Sequence, residues 1–556
     1  MFDAQGAAFY VWAAHRPVRR RCFAPVFTPR TGRCIVPPTV PANVFAMPPA
    51  TAETPADWVA VENLASHEGE RVTLKGWCYN KRGSGGIYFL ILRDGTGLVQ
   101  CVVKEDAVDD ASWQAAGEAS QEAALVVEGP VSADERAPGG VEVQAERIER
   151  VSVVEEQYPI TPKEHGVEFL QEHRHLWLRS QRQWAAMRVR NAIQQAIHGF
   201  FQERGFIQCD APILTGNAVE GTSTLFELDY FEDDTAYLTQ SGQLYGEAMA
   251  MAFGKIYTFG PTFRAEKSST RRHLTEFWMI EPEMAYFDLA MNIELAEDFV
   301  AHVVQTVLAE CPGELDALER DRSALEKVQA PFPRLSYTEA VELLKSEETD
   351  DLFDARLRAL QDEKQALEEE QEENEARRPR ASSGEKREID AREIEINGRL
   401  NEIEKKLRNL PDWRASAQTF AWGEDFGGSD ETVLTWHFER PVVVHRFPAD
   451  IKAFYMKRDP EDDRLALGMD ILAPEGYGEI VGGGERATDL DFLKKQIEAH
   501  GLPQEVFEWY LDLRRYGSVP HSGFGLGLER TVAWLCGLDH VRETIPFPRM
   551  LGRLHP

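Results

Sequence analysis

Residues 263–283, FRAEKSSTRRHLTEFWMIEPE, carry the reading on which the fold turns. Arg264 and Glu266 end one strand, a polar loop rich in cations follows, and Glu276, Phe277, Glu281 and Glu283 lie on a second strand. Such a hairpin can grip a polyphosphate. Arg264 can stabilise charge developing on an α-phosphate, Arg272 and His273 can meet the outer phosphates, and Phe277 offers an aromatic face to a nucleobase. Arginine and histidine beside glutamate also occur as plain surface ion pairs, and that reading stands beside the first.

Two further strings point the same way. In residues 523–535, GFGLGLERTVAWL, Gly523, Gly525 and Gly527 permit close backbone approach, and Glu529 with Arg530 opens an amphipathic helix. Arg530 can stack on the far face of a base whose other face meets Phe277, or it can simply extend to solvent from a structural turn. In residues 468–486, GMDILAPEGYGEIVGGGER, Asp470 and Glu479 lie on strand-like segments and Arg486 follows a glycine run. Two carboxylates among phosphates suit Mg²⁺, which keeps several waters and takes few protein ligands. Cross-strand pairing of these carboxylates with Lys452 or Lys457 is the alternative.

Outward from these strings, strand-like runs alternate with helical ones over 171–556, an α+β layout around a mostly antiparallel sheet. A long helical pattern from Arg179 to Arg204 ends at Gly205. The segment 346–410 interrupts with dense Glu, Lys and Arg. Its apolar residues, among them Phe353, Leu357 and Leu360, then Ile389, Ile396, Ile403 and Leu410, fall on one stripe in each half, with RRPRASSG between. An antiparallel helical hairpin with a solvated charged face is expected there. Over 56–155, five β-rich runs (VTLKGWCYN, GIYFLILRD, GLVQCVV, AALVVEGPV and VEVQAERIERV) separated by turn residues predict a small OB-fold β-barrel. Residues 156–170, containing YPITPKEHG, form the linker.

The first 55 residues differ in kind. No acidic residue occurs from Ala4 to Ala52, while Arg16, Arg19, Arg20, Arg21, Arg30 and Arg33 do. A disordered or non-native extension is expected, with a start at Met47 or a transit peptide as the other readings. The whole chain of 556 residues fits two or three domains, and nothing in it approaches the roughly 20 apolar residues of a membrane helix. Its net charge of −32 excludes nonspecific nucleic-acid binding, so any such contact is local. Adaptation to high salt is one account of that acidity. Seven scattered cysteines suggest neither a zinc site nor a disulfide framework, and point to a reducing, cytoplasmic setting.

Taken together in this order and spacing, the strings resemble the catalytic motifs of the class II aminoacyl-tRNA synthetases. Residues 189–215, with Pro212, resemble motif 1; FRAE through EPE resembles motif 2; and GFGLGLER resembles motif 3. The resemblance implies an antiparallel-sheet catalytic domain, a homodimer formed through the motif 1 region, and ATP and Mg²⁺ as requirements. It further implies Arg264, Arg530 and His273 as catalytic residues, with Glu266, Arg272, Phe277 and Glu479 also at the ATP and Glu479 with Asp470 at the metal. The barrel resembles the anticodon-binding domain of the aspartate, asparagine and lysine enzymes, with Phe89 stacking on a base and Gln100 reading a base edge. Phe89 equally fits the core of its strand. In this setting the 346–410 hairpin is a solvated insertion first and a tRNA-touching arm second.

The amino acid is chosen at LTQSGQLYGEAM, residues 238–249. Aspartate enzymes of this group carry a lysine where Gly246 stands here, and that lysine pairs with the substrate carboxylate. Without the cation a buried carboxylate is left unpaired, at a cost of about 3–5 kcal/mol, whereas an amide suffers no such loss. Asparagine and tRNA(Asn) are the expected substrates. By the resemblance Glu220 and Gln243 hold the α-amino group, Arg486 the side-chain carbonyl, and Glu276 the amide. GGGER stands where GGSQR is expected, which puts the bonding beside Arg486 in question. An aspartate-specific enzyme and a catalytically silent RNA-binding paralogue are the alternatives. Gly246 opposes the first, and the presence of Arg264, Glu479 and Arg530 opposes the second.

Overall fold

The computed structural model describes residues 58–555 apart from 162, 164, 217–224, 232–233 and 269. The extension expected over 1–55 lies outside these. The chain divides into two units at Pro159/Ile160, within the stretch expected as a linker.

The first unit has six strands, β1 (Arg71–Ser84), β2 (Ile87–Arg93), β3 (Leu98–Lys104), β4 (Ala124–Ala133), β5 (Val141–Gln144) and β6 (Arg147–Arg150); β1-β2-β3-β5-β4 close into a barrel through the β1–β4 pairing, and β6 pairs with β4. The run expected as one last strand is two, broken between Gln144 and Arg147. Gly85 and Gly86, both at positive φ, form the two-residue turn that joins β1 to β2, where only glycine adopts this geometry without strain. Alternation along β2 sends Leu90 and Leu92 into the core and leaves Phe89 and Ile91 on the other face. Phe89 is therefore not a core residue of its strand.

The second unit is built on an eight-stranded sheet, with a small sheet beside it. In chain order its strands are β7 (Ile207–Gln208), β8 (Leu214–Thr215), β9 (Glu227–Tyr230), β10 (Asp234–Leu238), β11 (Lys255–Phe263), β12 (Glu276–Ala285), β13 (Arg334–Ser336), β14 (Val442–Pro448), β15 (Leu465–Ala473), β16 (Gly478–Glu485) and β17 (His521–Gly527). The large sheet runs β13-β14-β15-β16-β17-β12-β11-β7, antiparallel except at its two edges, and β8-β10-β9 form the small one. Helix Gln181–Glu203, capped by Ser180 and stopped at Gly205, packs its apolar face with helix Leu289–Glu310 against the sheet. The centre of the sheet, β12-β17-β16, brings residues from all three strings together.

The insertion is a hairpin of helices Glu347–Arg377 and Ser383–Thr419. Its second helix continues through Pro411, past the expected end at 410. Ile389, Ile396, Ile403, Leu410 and Ala417 are buried at seven-residue spacing, the signature of a coiled-coil seam. Arg392 pairs with both oxygens of Glu370 (2.7 and 2.9 Å), and Arg399 does the same with Glu363 (2.6 and 3.0 Å).

The barrel admits a simple test. A Cβ on Gly129 would stand 1.9 Å from the Gln144 carbonyl oxygen, so β4 and β5 must part to accept it. Gly129→Ala is expected to destabilise the first unit by about 1–3 kcal/mol, read by scanning calorimetry as a lowered transition for that unit alone.

Candidate active site

Arg264 follows β11 directly, and its amide donates to the Thr275 carbonyl (3.1 Å), closing the hairpin at its base. Its guanidinium lies 5.4 Å from the centre of the Phe277 ring on β12. Opposite, Arg530 rises from the first turn of helix Leu528–Cys536 and donates to the Glu479 carbonyl (2.7 Å), with its guanidinium 3.6 Å from that residue's carboxylate. Its neighbour Glu529 turns the other way. Buried, it pairs with Arg190 (2.8 Å) and accepts the Trp278 amide (2.9 Å), tying helix Gln181–Glu203 to the sheet.

Arg264, Glu266, Arg272, His273, Phe277, Glu479 and Arg530 line one cleft. His273 stands 3.6 Å from Glu266; burial lowers its pKa, Arg530, Arg264 and Arg272 lower it further, and Glu266 opposes them. Arg272 differs from the rest. Expected to meet outer phosphates, it instead donates to Glu431 (2.7 Å) and to the Gly476 carbonyl, so its guanidinium is already engaged. Glu431 lies on helix Gly428–Thr435, far away in sequence, and nothing in the hairpin's own residues signals it.

Asp470 on β15 lies opposite Gly482 of β16, and Glu479 lies three residues before that glycine. A Cβ on Gly482 would lie 2.4 Å from Glu479 Oε1 and 3.3 Å from Asp470 Oδ1, so both oxygens converge on the space that glycine leaves. Lys452 Nζ donates to the other Asp470 oxygen (2.8 Å). Burial drives the Asp470 pKa upward and Glu479 adds to the rise, against the pull of Lys452. Two partly desolvated carboxylates aimed at one point are suited to a divalent cation.

A second cavity is lined by Gln243, Glu281, Glu283, Lys452, Asp470 and Arg486, among others. Arg486 is buried and donates to Glu283 (2.5 Å, with a longer contact of 3.4 Å). Glu281 is held by the Gly242 amide (2.8 Å), Thr258 (3.1 Å) and Ser241; burial raises its pKa. Glu276 does not reach this cavity. It ends β12 opposite Phe263 and bridges to Arg549, and Glu283, seven residues on, stands beside Arg486 in its place. Glu485 also turns away, to Lys457 (2.5 Å) and the Leu289 amide (3.3 Å), so the departure at GGGER stays outside the pocket. Glu220 lies outside the described residues. Gln243 donates to Glu247 (3.2 Å) one helical turn on, a partner legible in sequence as an i, i+4 pair on a helix.

In the first unit, Phe89 and Gln100 share the outer face of β2 and β3. Arg82 lies 4.8 Å from the Phe89 ring, and the Gln100 amide donates to Glu142 (2.8 Å).

Comparison with known proteins agrees with this arrangement. Residues 166–551 match the family of class II tRNA synthetases (D, K and N), and residues 72–151 match the OB-fold nucleic acid binding domain. The chain is 53% identical over 498 residues to the asparagine–tRNA ligase of Sorangium cellulosum, covering 90% of this chain and 99% of that one. It is 48% identical over 499 residues to that of Thermus thermophilus, covering 90% and 100%. Among solved structures, asparaginyl-tRNA synthetase from Pyrococcus horikoshii complexed with asparaginyl-adenylate superposes with a TM-score of 0.75 at 39% identity, covering 90% of this chain and 99% of that one. The chain belongs to the class II tRNA synthetases, and within them to the asparagine–tRNA ligases.

Proposed function

We propose that this protein joins asparagine to tRNA(Asn) in two steps. The asparagine carboxylate attacks the α-phosphorus of ATP and pyrophosphate leaves; the terminal ribose hydroxyl of the tRNA then attacks the asparaginyl carbonyl and AMP leaves. One observation carries this reading: the two cavities meet, with Arg264, Met279, Glu479 and Gly525 lining both. A nucleotide in the first cleft and an amino acid in the second would bring carboxylate and α-phosphate together beside Arg264. No side chain need form a covalent bond, and catalysis is positioning plus electrostatics.

In this reading Phe277 and Arg530 sandwich the adenine, Glu266 contacts its edge, and His273 hydrogen-bonds an outer phosphate. Arg272 joins the phosphates by leaving Glu431. Glu479 and Asp470 would hold Mg²⁺, whose charge offsets that of the phosphates. Gln243 and Glu220 bind the α-amino group, Arg486 the side-chain carbonyl, and Glu283 replaces Glu276 as the acceptor for the amide N–H. Phe89 stacks on an anticodon base and Gln100 reads another base edge. Exposed Ile213, Leu214, Leu228 and Phe231, beside the motif 1 region, support a homodimer. No helix among the described residues is long and apolar enough to cross a membrane, and the buried free thiols of Cys78, Cys101, Cys311 and Cys536 suit a reducing cytoplasm.

Aspartate fits poorly. Its second carboxylate oxygen would face Glu283, where Gly246 adds no cation to that of Arg486, and a Cβ at Gly246 would stand 3.2 Å from Glu283 Cγ.

The deciding experiment is ATP–pyrophosphate exchange with asparagine and aspartate compared side by side. Exchange driven by asparagine alone is expected; exchange driven by aspartate overturns the specificity. Arg264→Ala is expected to slow asparagine-dependent exchange about 10²–10³-fold while leaving tRNA affinity within about twofold. Gly246→Lys is expected to reduce exchange with asparagine by at least about tenfold, because the new side chain presses on Glu283. Phe89→Ala is expected to weaken tRNA binding by about 1–3 kcal/mol with exchange unchanged.

A further inference from the structure

Gln243 and Glu247 stand one turn apart on helix Gln243–Phe253. Gln243 lines the amino-acid cavity, and its Nε2 donates to Glu247 Oε1 (3.2 Å). A primary amide has one donor end and one acceptor end. The opposite orientation would set the amide oxygen against a carboxylate, two acceptors face to face, so the nitrogen is the end turned to Glu247. The carbonyl oxygen is then the end left for the cavity, and an ammonium, having only donors, requires an acceptor there.

Glu247 is itself immobile. It is completely buried, and its carboxylate accepts from Tyr510 (2.9 and 2.8 Å), Arg514 (2.8 Å) and His521 Nε2 (2.9 Å). Burial alone would raise its pKa, but Arg514, His521 and Arg486 outweigh that and hold it below the usual carboxylate range, so it stays an anion. With Arg514, His521 and Tyr510 already bonded, Glu247 has no structural need of Gln243; the dependence runs from Gln243 to Glu247.

We infer that Glu247 is a positioning residue for amino-acid binding: without touching substrate, it turns the Gln243 carbonyl oxygen toward the substrate's α-ammonium. The inference rests on the reading of Gln243 as an α-amino contact.

The test measures binding of asparagine and of its deaminated analogue, succinamic acid, by calorimetry without ATP. The readout is the ratio of the two affinities, which a general loosening of the fold does not change. Glu247→Asp keeps the charge for Arg514 and His521 but withdraws the oxygen from Gln243; Glu247→Gln keeps the reach but sets a second amide against the first. Each is expected to shrink the ratio about ten- to hundredfold, the worth of one hydrogen bond to a charged group. Should Glu247→Gln fail to fold, Glu247→Asp carries the test. In a Gln243→Ala background, Glu247→Asp is expected to produce no further change in the ratio. If Glu247→Asp weakens both ligands equally, the inference is overturned while Gln243 keeps its role. If Gln243→Ala itself leaves the ratio unchanged, the reading of Gln243 fails, and the inference with it.

Discussion

The centre of the catalytic sheet is governed by one buried ion pair, Glu283 with Arg486. Glu283 on β12 lies opposite Gly523 of β17, and Gly523 lies opposite Gly484 of β16, two residues before Arg486. The arginine reaches over a strand to its partner, and that strand must be bare at the crossing. A Cβ on Gly523 would come within 2.3 Å of the Glu283 carboxyl, and one on Gly483 within 2.5 Å of the Gly523 carbonyl. Burial drives the Glu283 pKa up and Arg486 pulls it down, so removing either residue strands a charge in the interior. Gly523 is therefore a steric requirement of this pair, while Gly482 leaves room for Glu479 and Gly525 for Met279.

What surrounds the pair follows from it. Helix Gln243–Phe253 lies against Glu283 at Gly246, where a Cβ would stand 3.2 Å from Glu283 Cγ. The next residue, Glu247, anchors Arg514 and His521, and Arg514 in turn donates to the Ala487 carbonyl (2.9 Å), fixing the backbone just after Arg486. The groups that line the second cavity and the groups that hold the sheet together are thus one network. Buried charges are costly as stabilisers; on the proposed reading their geometry serves selectivity.

The fold was legible because its elements are written in local periodicity: the barrel's alternation, the long amphipathic helix ending at Gly205, the paired stripes of the hairpin. The cleft lined by Arg264, Phe277, Glu479 and Arg530 was legible because its residues cluster in three short strings. The inner shell of the second cavity was not, because Glu247, Glu283, Arg514 and His521 are brought together only by tertiary packing. Glu276 and Glu283 sit on one strand and look alike in sequence; only the strand's pairing with β17 separates the one beside Arg486 from the one at the strand's end. The resting partner of Arg272 was hidden for the same reason, since Glu431 lies on a helix that the motif does not contain. The barrel's last run hid two strands because the break after Gln144 carries no Gly or Pro.

The net charge of −32 sits uneasily with a polyanionic substrate until its distribution is considered. In the hairpin, acid is matched by arginine across the helices, as in Arg392 with Glu370 and Arg399 with Glu363. Such exposed pairs each contribute at most about 1 kcal/mol, so the buried seam of Ile389, Ile396, Ile403, Leu410 and Ala417 supplies most of the stability. A surface of this kind repels RNA wherever its acid is unmatched. The outer face of the barrel is different in character: Arg82 lies over Phe89, and Gln100 presents a polar edge beside them. On the proposed reading, repulsion elsewhere and a small aromatic and cationic patch here would act together, since an acidic body penalises docking modes that do not place RNA on the patch.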